Sequence, residues 1–259
     1  MQSAGKRWFQ DLHFGGRIGR GLRSPRSGMA HEATLEFRVD HIGNERSPVL
    51  VIENVWPDPQ LLIDHAARKT DFSARSLYYP GIRSSAPPEY SRAITGQLTE
   101  IVLSTFGLSG PLAITDSTFS LVFTPVDKLV PFQRVPHFDS TDGNRLALLH
   151  YLCGPEQGGT SFYRHRASGT ESVTEENRAR YIAAVNAEAK ANGLPPARFI
   201  DGDTETFERI GRYECAFNRA LVYRGRNLHS VNTPATFIPS ADPRRGRLTV
   251  NTFWLAPTN

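Results

Sequence analysis

Alternation at period two recurs in two long stretches of the chain, residues 112–163 and 204–255. Phe119, Leu121 and Phe123 alternate. Apolar residues also cluster from Leu146 to Leu152, Phe207 to Tyr213, Phe217 to Tyr223 and Leu248 to Trp254. Successive side chains on a strand point to opposite faces, so these runs read as short strands. The expected class is mainly β with flanking helices. Between the two stretches Thr174 is placed to cap a helix, with Asn177 at the third position. Tyr181, Ile182, Val185 and Ala189 form its apolar stripe, and Asn192-Gly193 with Pro195-Pro196 stop it. That helix makes residues 164–203 an insertion in a β unit spanning 112–259.

The preceding region has a different pattern. Val49 to Ile52 form a β-prone run ending near Trp56-Pro57. Pro59 opens a helix carrying Leu61, Leu62, Ala66 and Ala67, and residues 91–107 form another with Ile94, Leu98, Ile101, Val102 and Phe106 at helical spacing. Tyr78-Tyr79-Pro80-Gly81-Ile82-Arg83 reads as an aromatic turn. Residues 29–111 are therefore expected to form an α/β support region packed on the β unit.

Charge and composition exclude several functions. The net charge of the 259 residues is +4, but residues 1–28 carry six Lys and Arg against Asp11 alone, or +5, leaving −1 for the rest. Residues 1–28 are expected to be a flexible basic leader, and no nucleic-acid partner is expected. No apolar run reaches the roughly 18 residues of a membrane span, and the leader has no secretory apolar core. A cytoplasmic location is expected. Cys153 and Cys215 are too few for a disulfide scaffold and read as small core residues.

The sharpest local motif is Pro136-His137-Phe138-Asp139. On a strand, His137 and Asp139 share a face and offer an imidazole nitrogen and a carboxylate oxygen to one divalent cation. A third ligand must come from elsewhere, and His229, at the start of a short apolar strand, is the candidate. Two histidines and one carboxylate on one side of a metal leave positions open, as suits non-haem Fe(II). Arg247, Thr249 and Asn251 follow at spacing two. Arg247 can pair with a remote carboxylate and Thr249 can donate a hydroxyl on the same face.

These segments resemble the Fe(II)- and 2-oxoglutarate-dependent dioxygenases, particularly the prolyl-hydroxylase-like branch. The matching pieces are PHFD at 136–139, RLALLHYLCGPEQGGTSFY at 145–163, ALVYRGRNLHSV at 220–231 and RLTVNTFWL at 247–255. With YYPGIR at 78–83, residues 45–255 also look like the bacterial family DUF6445. The resemblance implies a double-stranded β-helix, the cupin-like jelly roll. It implies Fe(II) held by His137, Asp139 and His229, with Arg247 and Thr249 on the 2-oxoglutarate C5 carboxylate and dioxygen as second co-substrate. The implied reaction couples oxidative decarboxylation of 2-oxoglutarate to hydroxylation, or related C–H oxidation, of a small molecule or peptide residue. Retention of the carboxylate at Asp139 favours hydroxylation over halogenation.

The 18-residue interval from His229 to Arg247 is longer than the family's usual spacing, and Arg245 competes with Arg247 for the anchoring role. Tyr79, Arg83, Phe119, Gln133 and Arg134 are the candidate substrate contacts. Phe132 and Phe138 read as packing residues, His150 as a core histidine and His165 as a solvated one. Two other functions fit the same residues: a metal-dependent cupin-like hydrolase or isomerase, and a non-enzymatic ligand-binding barrel. Neither the substrate nor the oligomeric state is legible.

Overall fold

A computed structural model describes residues 35–74 and 78–258 of the chain; the expected leader at 1–28 lies outside them. Among the described residues, ten strands and three α-helices are interspersed along the sequence. The strands are β1 (Glu36–Ile42), β2 (Ser47–Glu53), β3 (Gly81–Ser85), β4 (Ala113–Val122), β5 (Arg145–Tyr151), β6 (Gly159–His165), β7 (Phe207–Glu214), β8 (Ala220–Arg224), β9 (His229–Asn232) and β10 (Arg247–Leu255). The helices are α1 (Pro59–Arg68), α2 (Pro88–Phe106) and α3 (Glu175–Asn192).

Seven strands form one sheet in the order β1-β2-β8-β5-β10-β4-β3, and three form a second in the order β7-β6-β9. All pairings are antiparallel. The fold is thus a mixed arrangement of two antiparallel sheets with helices. Strands β1 to β3 belong to the larger sheet, so the chain before residue 112 contributes both edges of the sheet that holds β5, β8 and β10.

The two faces of the larger sheet have separate cores. On one face Leu248, Val250 and Trp254 pack with Leu62, Ile94, Leu98 and Val102 of α1 and α2. Pro88 at the first turn of α2 and left-handed Gly107 at its end set its limits. The Trp254 indole donates to Thr95 on α2 at 2.8 Å. On the other face Ala147, Leu149, Leu221 and Tyr223 meet Phe162 and Tyr213 of the smaller sheet. Burying side chains of this size stabilises by about 1.5–3 kcal/mol each before entropy is counted.

A polar network ties the helical layer to the sheet. The Asn218 amide donates to Trp56 O at 2.8 Å, and its oxygen accepts from Trp56 N at 3.0 Å, which fixes the amide's orientation. That oxygen lies 3.0 Å from His150 Nε2, so Nε2 carries the proton. Nδ1 is then an acceptor, and Tyr90 donates to it at 2.9 Å. Burial holds His150 neutral and lowers its pKa to about 4.

Several expectations change. Residues 81–85 form edge strand β3 instead of extending an aromatic turn, because Gly81 lies against Leu121 O; a Cβ there would come within 1.9 Å of that oxygen. The strand expected from Phe217 begins at Ala220, since Asn218 takes a left-handed turn with φ 65°. Strand β4 ends at Val122 and leaves Phe123 exposed. Thr174 caps α3 as expected, accepting from Asn177 N at 3.3 Å, but Ile182 is exposed and Tyr181 is the helix's buried residue. His165 is buried, between Ser168 Oγ at 2.8 Å and Glu188 at 3.1 Å, instead of solvated.

Candidate metal and co-substrate site

A cavity of about 370 Å³ opens between the two sheets. His137, Asp139 and His229 line it, and one ligand atom from each lies within 4.8 Å of the others. The backbone makes this convergence. His137 and His229 exchange reciprocal N–H to carbonyl bonds, each 2.8 Å. Asp139 N donates to Gly225 O at 2.7 Å. A Cβ at Gly225 would sit 3.3 Å from the Asp139 Cβ, so glycine there permits this close approach.

The geometry settles the histidine tautomer at His229. Its Nδ1 lies 2.8 Å from Asn227 O, and a carbonyl can only accept, so Nδ1 is protonated. Nε2 is therefore the nitrogen turned towards the site, 3.5 Å from an Asp139 carboxylate oxygen. A histidine ligand with its second nitrogen tied to a carbonyl is the usual arrangement around a metal. The Tyr223 ring meets His229 edge-on at 4.8 Å and holds it in place. His137 faces the cavity, and its Nε2 is 3.9 Å from the other Asp139 oxygen. About half of its side chain is open to the cavity, and desolvation by the surrounding walls first, then His229 and Arg83, push its pKa well below 6.5. The neutral form is the one a metal needs.

The parity argument holds along β10: Arg247, Thr249 and Asn251 line the cavity, while Leu248 and Val250 enter the helix-side core. Arg247 is 2% exposed. Its Nη2 donates to Gly159 O at 2.9 Å, while its buried Nε has no hydrogen-bond partner among the described residues. Arg245 is exposed in the preceding turn and does not line the cavity. The Thr249 hydroxyl donates to Asn251 Oδ1 at 2.7 Å.

The candidate substrate contacts separate. Tyr79, Arg83 and Gln133 line the cavity. Phe119 does not: it alternates to the other face of β4, into the core beneath α1 and α2. Arg134 turns away as well, bonding Leu129 O at 2.6 and 2.9 Å and Pro195 O at 3.0 Å, which ties the insertion to the segment before His137. Phe132 and Phe138, expected only to pack, both line the cavity. Tyr223, Asn251 and Phe199 line it too. Strand parity could have flagged the first two, but nothing periodic marks Phe199 in its loop.

Residues 33–254 match the sequence profile of a family of unknown function, DUF6445. No curated protein matches the chain in sequence. Among solved structures, the chain resembles HygX from Streptomyces hygroscopicus with iron bound, at 13% identity and a TM-score of 0.50, over 83% of this chain and 84% of that one. It also resembles SnoN, a non-heme alpha ketoglutarate dependent epimerase from nogalamycin biosynthesis, at 13% identity and a TM-score of 0.50, over 82% of this chain and 79% of that one. At these identities the likeness is one of fold. Among the described residues, no helix is long and apolar enough to cross a membrane.

Proposed function

This chain belongs to the DUF6445 family, and from the site it carries we propose that it is an Fe(II)- and 2-oxoglutarate-dependent oxygenase. The observation that carries the reading is the convergence of His137, Asp139 and His229 in one cavity with Arg247. Two imidazoles and one carboxylate fit a divalent first-row metal with open positions. The unpartnered Nε of buried Arg247 fits a carboxylate acceptor, because a buried guanidinium donor left unpaired is costly.

In this reading His137, Asp139 and His229 hold the iron, and Arg247 receives the C5 carboxylate of 2-oxoglutarate with Thr249 beside it. Bound there, the metal supplies oxidative decarboxylation of 2-oxoglutarate by dioxygen, coupled to oxidation of a substrate C–H bond. The chain's own contribution is placement. Asn227 O holds the His229 Nδ1 side and so turns Nε2 towards the metal position, Tyr223 packs against the ring, and Gly225 O sets the Asp139 backbone.

The two sheets enclosing the cavity support assignment to the double-stranded β-helix, with residues 112–259 as the oxygenase core and 29–111 as its support. The substrate is a small molecule or a peptide residue, consistent with a cavity in the small-ligand range of about 300–1,000 Å³. Cys153 and Cys215 are both unbridged, which agrees with a reducing compartment such as the cytoplasm.

Succinate formation tests the proposal. The protein with Fe(II), 2-oxoglutarate and air is expected to release succinate, and Asp139→Ala is expected to abolish it. Equal release by the variant would remove Asp139 from the metal site.

A further inference from the structure

The cavity holds more positive charge than its co-substrate needs. Its ionised lining residues are Asp139, Arg83 and Arg247, giving −1, +1 and +1, or a net +1 with neutral histidines. A divalent metal adds two positive charges and 2-oxoglutarate removes two. The surplus therefore persists in the loaded site, and Arg247 accounts for the co-substrate's remote carboxylate. Arg83 is left over.

Arg83 is built to receive a ligand. It lies on β3 opposite Ser120 of β4, which is itself opposite Thr249 of β10. These register partners share a face of the sheet, and both Arg83 and Thr249 line the cavity. Arg83 makes no ion pair among the described residues, and its buried Nε has no hydrogen-bond partner. Its guanidinium is 4.0 Å from the centre of the Tyr79 ring, which fixes its plane. The cost of leaving a buried guanidinium donor unsatisfied is removed when a carboxylate arrives. One planar fork matches the two oxygens of one monoanionic carboxylate.

Two exposed aromatic rings also belong to this lining. Tyr78 and Phe132 line the same cavity with ring centroids 4.9 Å apart, and they are 78% and 40% exposed. Exposed aromatic rings at a cavity offer a flat, apolar contact surface to a ligand.

We propose that Arg83 is the substrate anchor of this site, and that the substrate is an organic monocarboxylate whose apolar or aromatic body lies against Tyr78 and Phe132. This rests on the oxygenase reading for the place of 2-oxoglutarate, and names the substrate class for that same site.

The test uses 3-phenylpropionate and its neutral counterpart 3-phenylpropanamide as probes. Each is titrated calorimetrically into the full chain with anaerobic Fe(II) and saturating 2-oxoglutarate. The acid is expected to bind at least tenfold more tightly than the amide. Arg83→Gln is expected to abolish that preference and Arg83→Lys to keep part of it, with 2-oxoglutarate affinity unchanged within about twofold in both, as a conserved charge without the bidentate fork implies. Equal binding of acid and amide to the wild-type chain overturns the proposal without reference to any variant. Loss of 2-oxoglutarate affinity in Arg83→Gln also overturns it, by giving Arg83 to the co-substrate. If the wild-type chain binds no 2-oxoglutarate, the oxygenase reading fails separately. The acid-over-amide preference is then measured in Arg247→Gln, where Arg83 is the cavity's remaining guanidinium, and its absence there overturns the anchor.

Discussion

Arg247 and Arg245 lie two residues apart on the chain and differ in everything that matters for binding. One is 2% exposed inside the cavity, and the other points from a surface turn. Arg247→Ala is expected to weaken 2-oxoglutarate binding about 10- to 100-fold, the loss of one charge-assisted pair of about 1.5–3 kcal/mol. Metal affinity should be unchanged. Arg245→Ala should leave both unchanged, and titration calorimetry on the two variants checks this. The buried His150 gives a second prediction. Its pKa falls from 6.5 to about 4 on folding, so the unfolded chain binds the extra proton between those values. Its contribution is full above pH 6.5, is lost as pH falls towards 4, and then levels off, amounting to at most about 3 kcal/mol. His150→Gln, which keeps a donor and an acceptor but does not titrate, should flatten this part of the acid limb in denaturant unfolding measured at pH 7.5 and pH 5. At this scale the sequence was informative where chemistry is local. Arg247 and Thr249 follow from spacing-two parity on β10, whereas His137 and Asp139, expected on a strand, lie in a segment held by a single bridge from His137 to His229. Phe119 was misassigned because parity tells which residues share a face but not which face meets the cavity. His165 was misread because its partner Glu188 is 23 residues away on α3.

Loop approach, more than strand formation, sets the metal site at the level of elements. The segment 137–139 reaches the start of β9 and the turn before it through three backbone bonds, two to His229 and one to Gly225. Gly225→Ala would require the Asp139 side chain or its loop to shift by a few tenths of an ångström, since the new Cβ meets Asp139 Cβ at 3.3 Å. A lowered affinity for Mn(II), read by calorimetry, is expected with the fold retained. Thr174→Ala is the matching control. It removes the α3 cap and should cost about 1 kcal/mol of stability while leaving Mn(II) affinity intact. Helices were the easiest elements to read: Pro59 opens α1 and Asn192-Gly193 ends α3 as expected, while α2 runs from Pro88 to Phe106 where 91–107 was expected. β3 was the hardest. Its strand identity depends on pairing with β4 and on Gly81 lying against Leu121 O, contacts made across about 40 residues of sequence. β1 escaped notice although Phe37 and Val39 alternate with charged Glu36, Arg38 and Asp40; the run is an edge strand that pairs with β2.

For the whole molecule, the two sheets serve different purposes. The larger sheet carries the helix-side core on one face and Arg83, Thr249 and Arg247 on the other, while the smaller sheet presents His229 and Thr160 to the same cavity. A ligand that bridges them should therefore stabilise the folded chain as a unit. A metal at about 100 times its dissociation constant adds roughly 2.7 kcal/mol. Thermal unfolding should shift upward with Mn(II) in the wild-type chain and not in Asp139→Ala. The most direct test of the central claim is titration of 2-oxoglutarate into the anaerobic chain with and without Fe(II). The account predicts saturable binding that requires the metal, disappears in Asp139→Ala and weakens in Arg247→Ala. Binding of 2-oxoglutarate that is indifferent to the metal and to both substitutions, or no binding at all, would contradict it.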